Sequence, residues 1–418
     1  MHKDEALAQL RDAAWLKRPA VVQVFELLDG SEGKTKAVGG IVRNTLMGDA
    51  SGDVDMATMF LPAEVTARAE AANVKAIPTG IQHGTVTLVI DGEAFEVTSL
   101  RKDVKTDGRH AEVEFGGDWE SDARRRDFTF NALYVGPDGE LLDPLGGLED
   151  CLSKNVRYIG DAKKRNKEDF LRILRFYRFF AFYGSGRPDA EGLKASVAQK
   201  SKLDQLSAER IWQELKKLLS APDPSRALLW MRTTGVLATI LPEGEKWGID
   251  AIHGLISAER DLGWSPDPML RLMSILPPMP EKLTELGKRL RLSNAEIDQL
   301  QKWAMVEQID PANPDMDFKA SLYWGDQSTT VSALKLSLAN MRQKAPESVE
   351  AMQKAAGYAR LLQIAEEWQQ PVFPISGKDL LEAGAAPGPE LGEALKALEE
   401  RWVKSGFSLT REKLLGLE

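Results

Sequence analysis

Alternation of apolar and polar residues, the mark of a half-buried strand, is confined to the first 144 of the 418 residues. Residues 82–90 (QHGTVTLVI) and 93–100 (EAFEVTSL) alternate on either side of Asp91-Gly92, a strong two-residue hairpin signal. Shorter strands read at 37–38, around Asp53 and Asp55, over 129–135 and over 141–144. Pro137-Asp138-Gly139 turns between the last two. Helical spacing in this block covers 4–16, 18–28 (with Pro19 near its start) and 61–72. Residues 102–124 are polar and glycine-containing and read as a loop.

From Gly146 onward the period changes to that of helices. One helix is expected over 167–183 (KEDFLRILRFYRFFAFY), ended by Gly184, and one over 207–220 with Ser207 as N-cap. A third, 224–234, stops at Gly235, and successive helices fill 250–310 and 320–415 between proline and glycine clusters. The expectation is an α+β head with a mixed sheet, followed by an all-α neck, body and tail. The expected boundaries are 1–144, 145–220, 221–330 and 331–418.

Composition removes several function classes. The single cysteine, Cys151, permits no intramolecular disulfide and no cysteine-based metal site. Four histidines (His2, His83, His110, His253) argue against a histidine-rich metal centre. A net charge of −9 argues against indiscriminate polyanion binding but leaves room for a local basic track. No run of about 18 apolar residues suggests a membrane span. The N-terminal stretch MHKDEALAQLRDAAWLKR is charged throughout and has no apolar signal-peptide core, so a cytoplasmic location is expected.

Chemistry concentrates in residues 37–58, AVGGIVRNTLMGDASGDVDMAT. Gly39 and Gly40 form a turn whose backbone can approach phosphates, and Arg43 follows at a helix start, where N–H groups already favour anions. Asp53 and Asp55 sit at i and i+2 of an expected strand, so their carboxylates share a face while Val54 turns into the core. Two like charges this close are best tolerated around a divalent cation. The pattern describes a site for a nucleoside triphosphate with Mg²⁺.

Six ordered stretches then carry a resemblance: GGIVRNTLMG with DVD, EVTSLR, RRDFTFNA, DPLGGLED, EDFLRILRFYRFFAFYG and ERIWQELKKLL. Together they resemble the class II tRNA nucleotidyltransferase family, the CCA-adding enzymes and their bacterial poly(A) polymerase relatives, over about residues 37–220. The resemblance implies two-metal nucleotidyl transfer, with two Mg²⁺ ions bridged by Asp53 and Asp55 and with Glu96 as a third carboxylate for metal or proton. Gly39, Gly40 and Arg43 would take the triphosphate, with Arg175 and Arg178 in reach of it. Arg126 and Asp127 would contact the ribose, assisted by Asn131. Asp169 and Arg172 would read the base. Cytosine and adenine both present an amino donor beside a ring acceptor, so one carboxylate and one guanidinium fit both, whereas guanine and uracil offer a carbonyl to the carboxylate and are repelled. Arg109, in the 102–124 loop, would help the switch from C to A. Arg210 and Glu214 read as structural braces. The helical C-terminal half would grip the tRNA acceptor stem and T-arm through shape and phosphate contacts.

The expected activity is addition of C, C and A to tRNA 3′ ends from CTP and ATP. Related alternatives are a CC-adding enzyme, an A-adding enzyme and a poly(A) polymerase. A non-catalytic tRNA-binding protein on the same scaffold is an alternative of another class. One departure stands out: the family pattern usually has Asp where this chain has Asn44, which can still accept a hydrogen bond from Arg43 but brings no charge.

Overall fold

In a computed structural model, residues 2–81, 84–107, 110–244 and 249–416 are described. The chain divides into two compact units, Met1–Ile240 and Leu241–Glu418.

The first unit is built on a seven-stranded sheet in the order β3-β4-β5-β2-β1-β8-β9. Its strands are β1 (Thr35–Val38), β2 (Asp55–Thr58), β3 (Lys75–Gly80), β4 (Thr85–Ile90), β5 (Glu93–Ser99), β8 (Tyr134–Val135) and β9 (Leu141–Leu142); β6 (Arg101–Asp107) and β7 (His110–Phe115) form a separate two-stranded ribbon. All neighbours in the main sheet are antiparallel except β2 and β5, which run parallel with Met56 opposite Val97. That parallel pair brings the start of β2, with Asp55, to the same end of the sheet as Glu96. The β4–β5 hairpin forms at Asp91 (φ 51°) and Gly92 (φ 81°), two successive positive φ angles that match the right-handed twist of the strands.

Helices α1 (Lys3–Arg11), α2 (Pro19–Leu27), α3 (Gly40–Leu46), α4 (Pro62–Ala71) and α5 (Trp119–Arg125) belong to this sheet block. They are followed by α6 (Gly147–Leu152), α7 (Ala162–Glu168), α8 (Leu171–Tyr183), α9 (Ala190–Gln199), α10 (Ala208–Leu219), α11 (Ser225–Thr234) and α12 (Val236–Ile240). Helix α3 is pinned to the N-terminal segment: Trp15 donates its indole N–H to Thr45 Oγ1 at 2.9 Å, and that hydroxyl donates to the Ile41 carbonyl.

Several expectations need correction. The helix expected over 4–16 ends at Arg11, and a 3-10 turn, Ala14–Lys17, separates it from α2. Strand β2 begins at Asp55, so Asp53 lies in the extended approach to the strand, although Val54 is buried as expected. Strand β3 was not anticipated; Pro78 within it obscures the strand signal and confines it to the sheet edge. The supposed loop 102–124 holds the β6–β7 ribbon and α5. The ribbon strands pair only with each other; the alternation of Ala111, Val113 and Phe115 with Glu112 and Glu114 is their one strand signal, and it is short. The strand expected over 129–135 is a 3-10 turn, Thr129–Asn131, leading into the two-residue β8. Every residue from 127 to 136 is buried, so no alternation distinguishes strand from turn. The turn also accommodates α6: a Cβ on Gly147 would lie 2.2 Å from the Thr129 carbonyl oxygen.

The most consequential correction concerns 167–183. Helix α7 stops at Glu168, Asp169 is extended (φ −156°, ψ 109°), and α8 starts at Leu171. The Asp169 carboxylate accepts from the Leu171 N–H at 3.0 Å, the kind of local bond with which aspartate competes against a continuous helix.

The second unit is helical throughout its described residues: α13 (Ala251–Leu262), α14 (Pro268–Ser274), α15 (Pro280–Leu290), α16 (Asn294–Met305), α17 (Asp315–Trp324), α18 (Gln327–Lys344), α19 (Val349–Glu367), α20 (Gly377–Glu382), α21 (Pro389–Lys404) and α22 (Arg411–Leu415). Its core joins α17, α18 and α19 through Phe318, Leu322, Leu334, Leu338, Leu361 and Leu362. A second cluster gathers Tyr323, Ile375, Trp402, Val403 and Leu414. The expected division at 330/331 falls inside α18. Among the described residues no helix is long and apolar enough to cross a membrane.

Candidate active site

A cavity of about 530 Å³ opens in the first unit between the N-terminus of α3, the start of β2, and helices α8 and α10. Six arginines line it: Arg43, Arg126, Arg172, Arg175, Arg178 and Arg210. So dense a cationic lining is suited to a polyanion such as a triphosphate.

Gly39 and Gly40 form the floor at the helix start. Gly39 adopts φ 75°, ψ −117°, a conformation open to glycine and closed to residues with a Cβ. One turn on, Arg43 is 5% exposed and held on three sides. Its Nε and Nη2 donate to Asn44 Oδ1 (3.1 and 2.8 Å), its Nη1 to Asn131 Oδ1 (2.6 Å) and its Nη2 to the Tyr183 hydroxyl (2.7 Å). The guanidinium also lies 3.9 Å from the centre of the Tyr183 ring. Burial lowers its pKa from the usual arginine value.

The polar chain continues from Asn131. Its Nδ2 donates to Asp127 Oδ1 at 3.0 Å, and Asp127 Oδ2 accepts from Arg175 Nε at 2.8 Å and from its Nη2. Burial opposes ionisation of Asp127, but Arg175 and the bond from Asn131 outweigh it and bring the carboxyl down to about 2. Arg126 takes different partners. It donates to Asp122 Oδ2 (3.2 and 3.1 Å) and shares the buried Tyr134 hydroxyl. Arg126 and Asp127 are therefore held separately, not as a mutual pair.

Elsewhere in the lining, Asp169 Oδ2 accepts from Arg210 Nη2 at 2.6 Å. Arg172 spends its Nη1 on Glu168 Oε2 (2.5 Å) and on the Arg165 carbonyl (3.0 Å). Asp169 and Arg172 both line the cavity, although the helix break removes the continuous i, i+3 register expected for them. Arg178 Nε donates to Glu214 Oε2 at 2.6 Å, and Arg175 Nη1 lies 3.9 Å from Glu214 Oε1. Arg210 and Glu214 are one turn apart on α10, so a single face of that helix braces both Asp169 and the α8 arginines. Arg210 lines the cavity itself, which sequence reasoning missed by reading it as a brace alone. Tyr183 and Phe179 were missed as well. Their only signal was their place at the end of an arginine-bearing apolar helix, which looks the same as core packing.

The carboxylates at the start of β2 behave otherwise. Asp55 lines the cavity and is half-buried, while Asp53 and Glu96 are exposed and do not line it. Burial, then repulsion from Glu96 and Asp53, raises the Asp55 carboxyl from the ordinary 3.8 to about 6, against the pull of Arg126. Among the described residues no three His, Cys, Asp or Glu side chains converge closely enough to hold an ion alone. Mg²⁺ commonly takes only one or two carboxylates and completes its shell with substrate phosphates and water. A half-buried carboxylate repelled by two others, beside a triphosphate-sized cationic cavity, fits that mode of binding. Arg109 lies outside the described residues.

Three family models match: "Poly A polymerase head domain" over 36–157, "Probable RNA and SrmB- binding site of polymerase A" over 188–247, and "tRNA nucleotidyltransferase domain 2" over 270–417. The chain is 34% identical over 406 residues to CCA tRNA nucleotidyltransferase 1, mitochondrial, of Homo sapiens, covering 93% of this chain and 87% of that protein. It is 41% identical over 208 residues to the CCA-adding enzyme of Geobacillus stearothermophilus, 48% of this chain and 49% of the other. Among solved structures, the Bacillus stearothermophilus CCA-adding enzyme in complex with CTP matches with a TM-score of 0.71 and 26% identity, over 96% of this chain and 97% of that one. With a relative of this identity aligned along nearly its whole length, the chain belongs to the CCA tRNA nucleotidyltransferase family.

Proposed function

We propose that this protein adds C, C and A to the 3′ end of tRNA, taking CTP and ATP in the cavity of the first unit and releasing pyrophosphate. The observation that carries the reading is that Asp169 and Arg172 line the same cavity as Gly39, Gly40 and Asp55. Gly39 and Gly40 let the backbone approach the β- and γ-phosphates, and Arg43, Arg175 and Arg178 balance their charge. Asp127, oriented by Arg175 and Asn131, accepts from a ribose hydroxyl, with Arg126 beside it. Asp169 accepts from the exocyclic amine of cytosine or adenine and Arg172 donates to the adjacent ring nitrogen. Arg210 and Glu168 hold these two groups in place before the nucleotide arrives, so selection needs no nucleic-acid template.

Asp53 and Asp55 would hold two Mg²⁺ ions, which supply charge compensation for in-line attack by the tRNA 3′-hydroxyl. Glu96 stands near enough to raise the Asp55 pKa, and it accepts the hydroxyl proton or completes the acidic field. The helical second unit binds the acceptor stem and T-arm by backbone shape. The similar animal enzymes are named as mitochondrial; fractionation of the host decides between that compartment and the cytoplasm for this protein.

The experiment is incubation of the protein and Mg²⁺ with tRNA transcripts ending before CCA, after C and after CC, each with one NTP. The expected result is two additions from CTP followed by one from ATP. Incorporation of A alone on all three, or of nothing, overturns the reading.

A further inference from the structure

Asn44 follows Arg43 on α3, and its two amide atoms do different jobs. Oδ1 accepts from Nε and Nη2 of Arg43, and Nδ2 donates to the Ser51 carbonyl at 3.0 Å. The orientation of the amide is forced, because a guanidinium only donates and a carbonyl only accepts. The same segment is tied at two further points. The Asn44 carbonyl accepts from the Asp49 N–H at 2.9 Å, and Asp49 Oδ1 accepts from the Ser51 N–H at 3.0 Å. Residues 49–53 are exposed at every position, so no packing holds them. Their path ends at Asp53.

We infer that Asn44 is a positioning residue that locks Arg43 to the 49–53 segment, so that the phosphate-binding arginine and the Asp53 carboxylate are set by one side chain. An aspartate at this position reproduces only half of the device. It accepts from Arg43 but turns a carboxylate oxygen toward the Ser51 carbonyl, where two acceptors repel. It also alters the charge. The side chains bonded to Arg43 are Asn44, Asn131 and Tyr183, all neutral; Asp127 acts on it only through space, so no bonded carboxylate competes with an incoming triphosphate. A carboxylate at 44 would neutralise part of the Arg43 charge. Asparagine keeps the arginine aligned, keeps it free of a bonded carboxylate, and clamps the route to Asp53.

The inference rests on the CCA-adding reading for its kinetic consequence but not for its structural one. Two near-isosteric variants of the full chain separate the parts. Asn44→Asp keeps the acceptor, loses the donor and adds charge. Asn44→Leu loses both bonds and adds none. In metal- and nucleotide-free protein, hydrogen exchange should quicken about fivefold or more at 49–53 in both variants, with the β4–β5 hairpin unchanged. With tRNA ending in CC, Asn44→Asp should raise KM for ATP by about tenfold, the scale of one charge-assisted hydrogen bond. Asn44→Leu should raise it less, and both should raise the Mg²⁺ concentration giving half-maximal rate. Wild-type exchange at 49–53 in both variants overturns the clamp. A KM that rises equally in both overturns the charge argument. If wild-type protein incorporates no nucleotide at all, the functional reading fails while the exchange measurement still decides the clamp.

Discussion

Asp55 and Asp127 line the same cavity and differ in everything that surrounds them. Asp127 is buried and answered by Arg175 and Asn131, which bring its carboxyl down to about 2. Asp55 is half-buried and faced by Glu96 and Asp53, which with burial push its carboxyl up to about 6. Asp127 has its charge answered by neighbours, whereas Asp55 has unrelieved repulsion beside it. Under the proposed function the arginine-rich lining would be complete before substrate arrives, whereas the acidic residues would gain their partner only with the metal and triphosphate. That contrast suits the proposed function, in which the site would select a base firmly and exchange its ions with each nucleotide.

The comparison breaks most easily at Asp55. Asp55→Asn should lower incorporation by about 10³-fold, the scale of losing one electrostatic contributor to the transition state, because it would weaken the hold on the metal. Because it removes a repelled carboxylate, it should leave the melting temperature of metal-free protein equal or higher. A clear loss of stability would place Asp55 with the self-satisfied wall. Asp127→Ala should do the reverse in stability: breaking a buried ion pair by removing one partner costs about 3–5 kcal/mol, readable by urea denaturation. A cost below about 1 kcal/mol would show that Arg175 finds other company. A third, smaller effect concerns Arg210. Without it Asp169 loses its 2.6 Å partner, and Arg210→Ala should raise KM for both CTP and ATP by about tenfold with little change in melting temperature. An unchanged KM would return Arg210 to the purely bracing role its sequence suggests.

The smallest effect is on pH dependence, and its sign differs between the two aspartates. Asp55 has a raised folded pKa, so between about pH 4 and 6 the folded state binds more protons than the unfolded one. Its contribution is most favourable below pH 4 and is lost as pH rises through 6. Asp127 has a lowered folded pKa, so its contribution is present above pH 4 and is lost as pH falls toward 2. Denaturation of metal-free wild type and Asp55→Asn across pH 4–7 should show the wild type losing ground relative to the variant as pH rises. Parallel curves would contradict the repulsion assigned to Asp55.

Much of this cavity was legible in the sequence. The glycine pair, Arg43, Asp55, Asp127, Asn131, Asp169, Arg172, Arg175 and Arg178 all line it. What was not legible depended on contacts far apart in sequence. Arg210 reaches Asp169 across 41 positions and Tyr183 reaches Arg43 across 140, and nothing local marks either. The continuous helix over 167–183 was a misreading of a different kind. Apolar spacing carries smoothly through the break at Asp169, because periodicity records which face is buried and not whether one backbone bond is exchanged for a side-chain one. The β6–β7 ribbon was missed although Ala111, Val113 and Phe115 alternate with His110, Glu112 and Glu114, because so short a run stands among charged and glycine-containing residues that read as a loop.

The central claim is that base choice resides in Asp169 and Arg172 and is independent of the acidic end. The most direct measurement is incorporation of each of the four NTPs by Asp169→Ala on tRNA ending before CCA, beside wild type. The account predicts that wild type takes CTP and then ATP, whereas the variant keeps transferring nucleotides but admits UTP or GTP. A variant that transfers with unaltered selectivity contradicts it.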